Sequence, residues 1–420
     1  MLSGLLAACQ PQQTDTIDNA LLKEVVTTLS SDQMQGRLAG GSEIKEAAGY
    51  LSGLFKQYGL QPMPGQENYL QTFYSTKVTT KMPELVLDGN QVPAQQVVVY
   101  ADEPINWEPT DQVAVKQIGA DDDFRERFFE LVGNTTLKQA VVLVSTTHAP
   151  IFNRVKQQLS GTRDKRGEAN EPDLAFVLTD LETVTSIQLT VTISLAKTPM
   201  SNVVAMLPGT TKPDEYVLVS AHYDHIGLLE PVGGDSVANG ANDNASGVAS
   251  VLGLAKHFSK QKLARSLMFI AFTAEESGLV GSEYFGKHLD FGQVVAMVNI
   301  EMIGKPSKWG DGHCYMTGYN KSTLAKLMKP AMVTKGAKLY PDPYAGYGLF
   351  YRSDNASLAK QQIPAHTISS SQIDSDTTYH QVSDEVELID FSHLTTLTKA
   401  IAAGLLPIAN NEATPVWNKD

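Results

Sequence analysis

Two cysteines among 420 residues, Cys9 and Cys314, leave no material for a disulfide framework. No apolar run approaches the roughly 18 residues of a membrane-spanning helix. Basic residues are outnumbered, with 33 Lys plus Arg against 46 Asp plus Glu, a formal charge of −13. Phosphate contacts need clustered cations, so this balance argues against a nucleic-acid partner. There is no G-x-S-x-G elbow and no G-x-x-x-x-G-K-[ST] loop, which weakens serine-hydrolase and nucleotide-driven readings. What is present is a globular mixture: 42% hydrophobic and 19% charged residues, with 32 Gly and 20 Pro. That composition buries a large core and is neither disordered nor collagen-like. The length predicts two or three domains.

The chain starts with a short apolar stretch, too brief to span a membrane, that ends in Leu6-Ala7-Ala8-Cys9. This run resembles the lipobox of bacterial lipoproteins, in which the cysteine is lipidated after export. Residues 1–19 therefore read as a lipoprotein-like signal remnant and a polar tether. The resemblance implies an exported protein, in the periplasm or at the outer membrane, anchored to lipid through Cys9. Over residues 43–59, Ile44, Ala47, Ala48, Leu51, Leu54, Phe55 and Tyr58 recur at helical spacing, and Gly59 marks the stop. From 84 to 190 short β-rich runs alternate with a charged stretch, 121–130, and a polar loop, 160–172. This segment is predicted to be an inserted domain. It offers no ordered set of titratable residues. Residues 20–83 and 191–410 then form the main domain.

From about 198 onward, apolar runs of strand length alternate with helical segments, the pattern of an α/β domain with a largely parallel sheet. Strands are predicted at 203–207, 216–221, 267–272, 294–300 and 365–368, with helices at 247–258 and 278–288. Three of these strands end in residues of metal-ligand type. The run 216–221 enters His222-Tyr223-Asp224-His225, 267–272 leads to Glu275-Glu276, and 294–300 to Glu301. Ligands bind beyond the carboxyl ends of strands in such sheets, so the three sets should converge. The small, polar loop 240–247 adds Asp243 at a helix start, and His380 follows the last strand. Two histidines and several carboxylates suit zinc, which takes nitrogen and oxygen ligands in open catalytic sites. His225 and His366 read as structural, and Cys314 as a buried thiol.

The segments AHYDHIG at 221–227, GANDNASG at 240–247, TAEESGLVGS at 273–282, NIEMIG at 299–304 and YHQVSDE at 379–385 together resemble the bimetallic zinc exopeptidases, which include bacterial aminopeptidases and glutamate carboxypeptidases. SDQMQGRLAG at 31–40 is similar to the start of many bacterial members. The segment 84–190 falls where many members insert a protease-associated domain. The resemblance implies a zinc-exopeptidase fold and two zinc ions. His222 would bind the first zinc, with Glu301 where many members have Asp. Asp243 would bridge both ions, and Glu276 and His380 would complete the second. Glu275 would be the general base, Asp224 would orient His222, and Tyr379 would steady the oxyanion.

These residue types suit the chemistry. A short carboxylate can bridge two metals, and water between them is activated near neutral pH. A free glutamate beside it can pass the proton to the leaving amine. The expected function is hydrolysis of N-terminal residues from peptides. The alternatives are a glutamate-type carboxypeptidase, a single-zinc glutaminyl cyclase, and an inactive binding module on the same fold. Direction of attack separates the first two: an α-ammonium needs a carboxylate in the pocket, a terminal carboxylate needs Arg or Lys. Asp224, Asp243, Glu275, Glu276, Glu301 and Asp376 favour the aminopeptidase, while Arg352 is the basic candidate. The stretch 344–351, rich in Gly and aromatics, precedes it and is a candidate for specificity.

Overall fold

The computed structural model describes residues 16–134, 136–165, 172–289 and 293–418, and Cys9 lies outside them. The chain divides into two compact units. One combines the residues up to Phe73 with those from Met200 onward, and the other spans Tyr74–Pro199. The sequence reading set the limits of the insert at 84 and 190. The shift has a physical cause. Strands β1 (Leu70–Thr80) and β2 (Ile193–Leu207) run unbroken through the division, so no turn residue or change of composition marks it.

In the first unit six further strands of the main sheet path follow: β3 (Lys212–His222), β4 (Arg265–Phe272), β5 (Gln293–Glu301), β6 (His313–Met316), β7 (Lys338–Pro341) and β8 (Ala365–Ser369). Their order in the sheet is β7-β6-β8-β5-β3-β4-β2-β1. The pairs β3–β4, β3–β5, β5–β8 and β6–β7 are parallel, while β2–β4 and β6–β8 are antiparallel. The sheet is thus mixed and largely parallel. Every residue of β4 is buried, as expected where helices cover both faces.

Alternate side chains explain the two layers. Val217, Val219 and Ala221 pack with helices α1 (Asn19–Leu29), α2 (Glu43–Gln57), α3 (Ser246–Phe258), α5 (Leu324–Val333) and α6 (Phe391–Ala409). Leu218, Met268, Ile270 and Phe272 face the other way, against Phe285 of α4 (Val280–Lys287) and the short turn Asn355–Ala359. Helix α1 buries Leu22, Val25, Val26 and Leu29 completely. Each such side chain contributes about 1.5–3 kcal/mol. Asp18 caps the helix by accepting the Leu21 N–H at 2.8 Å. Among the described residues no helix is long and apolar enough to cross a membrane.

The second unit has two four-stranded sheets. It is not only strands, however: helices Phe124–Val132 and Ala149–Leu159 pack on one sheet. The first of these lies within the charged stretch. Asp123 caps it, accepting the N–H of Arg125 and Glu126, and Phe124, Phe128 and Leu131 form a buried stripe behind the charges.

Candidate active site

Three neighbouring strands deliver the site. β3 lies between β4 and β5, all parallel, so their carboxyl ends sit side by side. β3 ends at His222 and β5 at Glu301, while β4 passes through Thr273 and Ala274 into Glu275 and Glu276. Asp243 comes from the loop before α3, and His380 from the loop between β8 and α6.

The Asp243 loop is held by its own polar residues. Gly240 has φ +57°, and a Cβ there would lie 2.2 Å from the Asp243 carbonyl and 2.6 Å from the His225 ring. Only glycine fits that turn. The N–H groups of Met302, Ile303 and Gly304 donate to Asn244 Oδ1 (3.1 Å), Ser246 Oγ (3.1 Å) and Asn242 Oδ1 (2.9 Å). The small polar residues of the 240–247 motif thus fasten it to the chain just after Glu301.

Two halves share one carboxylate. His222 Nε2 is 3.4 Å from Asp243 Oδ1 and 3.1 Å from Glu301 Oε1. His380 Nε2 is 3.4 Å from Asp243 Oδ2 and 3.0 Å from Glu276 Oε2. Ligand atoms around a tetrahedral zinc, each about 2.0–2.1 Å from the ion, lie roughly 3.3 Å apart. Both halves have that spacing. The donor atoms are imidazole nitrogens and carboxylate oxygens, and they line a cavity that Glu275 also lines.

The electrostatics point the same way. Burial pushes the Glu275 carboxyl well above its usual range, Asp224 up to about 6 and Asp354 up to about 7. Burial also raises Glu301. Burial opposes protonation of His222, yet Glu301 and Glu275 hold its pKa well above the ordinary value. For His380 burial is again outweighed, by hydrogen bonds to Asp243 and Glu276, and its pKa rises to about 10. Burial would raise Asp243, but its hydrogen bonds to the two histidines keep it below the usual range. So many carboxyl groups in one interior are costly without cations to pair them. The fully buried Arg37 is one such cation, felt by Asp224, Asp243, Asp384 and Glu276, but its N–H groups bond the carbonyls of Tyr223, Leu29, Asn239 and Gly240 and none of these carboxylates. The residues present therefore fit bound zinc.

Some contacts differ from those expected. His222 Nδ1 faces the main-chain carbonyl of Asp224 at 3.1 Å, and the Asp224 carboxylate is 3.8 Å away. That carboxylate instead accepts the N–H groups of Glu275 (3.1 Å) and Glu276 (3.3 Å), shaping the turn that presents both. Asp376 bonds Lys305 and does not line the cavity. His225 is more involved than its sequence reading allowed: its Nδ1 lies 2.9 Å from Glu276 Oε1, behind the face that meets His380. The Ser353 hydroxyl, next to Arg352, donates to Glu301 Oε2 at 2.8 Å. Tyr379 stacks on the His380 ring at 3.9 Å, and its hydroxyl is 3.5 Å from Arg352 Nη2. Cys314 is buried and free, its thiol pushed up to about 12 by burial. His366 is bonded locally, to the Thr317 carbonyl and the Ser322 hydroxyl.

Residues 202–405 match the family model described as peptidase family M28. A probable leucine aminopeptidase from Trichophyton verrucosum is 31% identical over 203 residues, 46% of this chain and 53% of that protein. A probable zinc metalloprotease from Pyrenophora teres f. teres is 28% identical over 243 residues, 51% of this chain and 50% of its own. The chain spans about half the length of these curated relatives. Among solved structures, an aminopeptidase from Aneurinibacillus sp. strain AM-1 shares the fold with a TM-score of 0.56 and 19% identity, covering 94% of this chain and 95% of that one. The segment that carries the clustered histidines and carboxylates is thus the part of the chain that matches peptidase family M28.

Proposed function

We propose that the protein is a zinc-dependent aminopeptidase that binds two zinc ions and hydrolyses the N-terminal bond of peptides. The observation that carries this is the pair of donor sets sharing Asp243, with a Glu275 oxygen beside the first of them, within 4.8 Å of the His222 and Glu301 ligand atoms. The names of the relatives, probable leucine aminopeptidase and probable zinc metalloprotease, agree with it. His222, Asp243 and Glu301 would hold one ion, and Asp243, Glu276 and His380 the other. When bound, the ions would activate water near neutral pH and polarise the scissile carbonyl. Glu275 takes the proton from the attacking water and returns it to the leaving amine. Asp224 keeps the Glu275-Glu276 turn in place through two backbone N–H groups. Tyr379 and Arg352 line the same cavity as donors for the substrate carbonyl, and Met302, Leu349 and Ile373 give it apolar wall for a terminal side chain.

The direction of attack follows from charge. Asp243, Glu275, Glu276 and Glu301 line the cavity, and Arg352 is the one Lys or Arg among its lining residues. Carboxylates hold an α-ammonium. Acetylating the α-amine of a good peptide substrate is therefore expected to abolish its hydrolysis, while amidating its C-terminus changes little. Arg352 is the feature that favours a carboxypeptidase. Cleavage of acetylated peptides with sparing of amidated ones, in a chromatographic assay with added zinc, would assign that activity instead.

We also propose that the protein is exported and lipidated on Cys9, a reading supported by the Leu6-Ala7-Ala8-Cys9 run. Mass spectrometry of protein from its native host should find a diacylglyceryl adduct on that cysteine. An unmodified chain beginning at Met1 would refute both lipidation and the anchor.

A further inference from the structure

Of the ligand candidates, four have positions set by the sheet or by the 240–247 loop stitched to it. His222, Glu301 and Glu276 stand at or just beyond the ends of adjacent laddered strands. The Asp243 loop is fastened by three N–H groups of the segment after β5, which donate to Asn244, Ser246 and Asn242. His380 has no such support, since it lies eleven residues beyond the end of β8. Something else must hold its loop against the others.

Lys305, four residues past Glu301, is placed to do so. Its Nζ lies 3.2 Å from both oxygens of Asp376, bonds Thr378 Oγ1, and is 3.8 Å from Asp384 Oδ1. Those three residues bracket His380. Asp384 then reaches across to the other loop. Its Oδ2 accepts the N–H groups of Asn242 (3.0 Å) and Asp243 (2.9 Å), and its carbonyl accepts the Ala241 N–H (2.9 Å). Asp384 is 1% exposed and its Oδ1 has no hydrogen-bond partner, so the nearby ammonium is its counter-charge. The Lys305 main chain is itself anchored, its carbonyl accepting the Ser370 hydroxyl at 2.6 Å.

We infer that Lys305 is a positioning residue that ties the His380 loop to the Asp243 loop and thereby sets the metal position formed by Asp243, Glu276 and His380. The inference rests on the two-zinc reading above. Removing the ammonium takes from Asp376 its bonded cation and from the buried Asp384 the cation beside its Oδ1, and so cuts the tie between the 376–384 loop and the chain after β5. The half built from His222 and Glu301 shares only Asp243 with that loop, and the N–H groups of Met302, Ile303 and Gly304 still hold the Asp243 loop when Lys305 is gone. Loss of Lys305 therefore acts on one ion rather than on both.

The test is a zinc titration of the full chain against a competing chromogenic chelator. Wild-type protein should bind two zinc ions. Lys305→Met should weaken one of the two by about 10–100-fold, the usual cost of losing an outer-layer partner, and leave the other unchanged. Lys305→Arg should restore the wild-type curve. Combining Lys305→Met with Glu301→Ala should leave no tight site. Asp376→Asn cuts the same tie from the loop side, should weaken the same ion, and carries the test if Lys305→Met does not fold. Two unchanged sites in Lys305→Met, or equal weakening of both, would overturn the inference and leave the two-zinc reading intact. A wild-type chain that binds fewer than two ions would overturn that reading and the inference with it.

Discussion

Glu275→Gln is expected to lower kcat by about 10²–10⁴-fold, the usual contribution of a positioned acid–base group, while zinc content stays at the wild-type level. That range corresponds to roughly 3–5 kcal/mol of barrier. The separation of the two effects is the point of the experiment. Glu275 lies beside His222 and Glu301, within 4.8 Å of their ligand atoms, and is assigned the base, whereas its neighbour Glu276 meets His380 at 3.0 Å. Gln keeps the shape of the side chain and its backbone N–H remains on Asp224. It also removes a buried carboxyl repelled by Glu301, Asp354 and Glu276, so the thermal midpoint of the metal-free variant should not fall. The sign is clear: a carboxyl whose pKa is raised on folding contributes stability below its unfolded pKa and loses it as pH rises through the folded one. The gain in midpoint should thus appear at neutral and higher pH and vanish near pH 4. Loss of zinc in Glu275→Gln would show that the roles of Glu275 and Glu276 have been exchanged.

Asp243→Ala should be still more damaging, because one carboxylate serves both halves. With Oδ1 facing His222 and Oδ2 facing His380, its removal takes a ligand from each ion at once. The variant is expected to bind no zinc tightly, and activity should fall by about 10³-fold or more, since bound metal supplies several kcal/mol of transition-state stabilisation. Glu301→Ala provides the contrast. Of the two ligand histidines Glu301 pairs with His222, so its loss should weaken one ion much more than the other. Metal analysis of the two variants side by side distinguishes a shared carboxylate from two independent sites. One tight zinc in Asp243→Ala would remove Asp243 from the bridging position.

Much of this site was legible because its residues lie where apolar strands stop. The runs at 216–221, 267–272 and 294–300 are buried on both faces, so a histidine or glutamate at their ends stands out against the pattern. The residues that aim those ligands were not legible. Lys305, Asp384 and Arg37 act through carbonyls, N–H groups and carboxylates of distant segments, and such contacts impose no spacing on the sequence. Ser353 reaches Glu301 across 52 positions for the same reason. The second task of Asp224 was not legible either: besides lying 3.8 Å from His222 Nδ1, its carboxylate accepts the N–H groups of Glu275 and Glu276. The helix at Phe124–Val132 was obscured by the Arg and Glu residues between its apolar ones.

Arg37 carries a consequence for how the chain is made. Its guanidinium binds the carbonyls of Tyr223, Asn239 and Gly240, up to 203 positions further along. At about 5–20 residues per second, a ribosome takes roughly 10–40 s to supply those partners after Arg37 itself has been joined. Helix α1 waits as well, since the α3 and α6 surfaces that cover Leu22, Val25 and Val26 are made later still. The Tyr74–Pro199 segment is complete well before then and has its own apolar clusters. Synthesis therefore passes through a stage in which the insert can be folded while the amino-terminal 73 residues still expose an apolar face. That nascent intermediate is the point at which a chaperone or a holding factor would matter most.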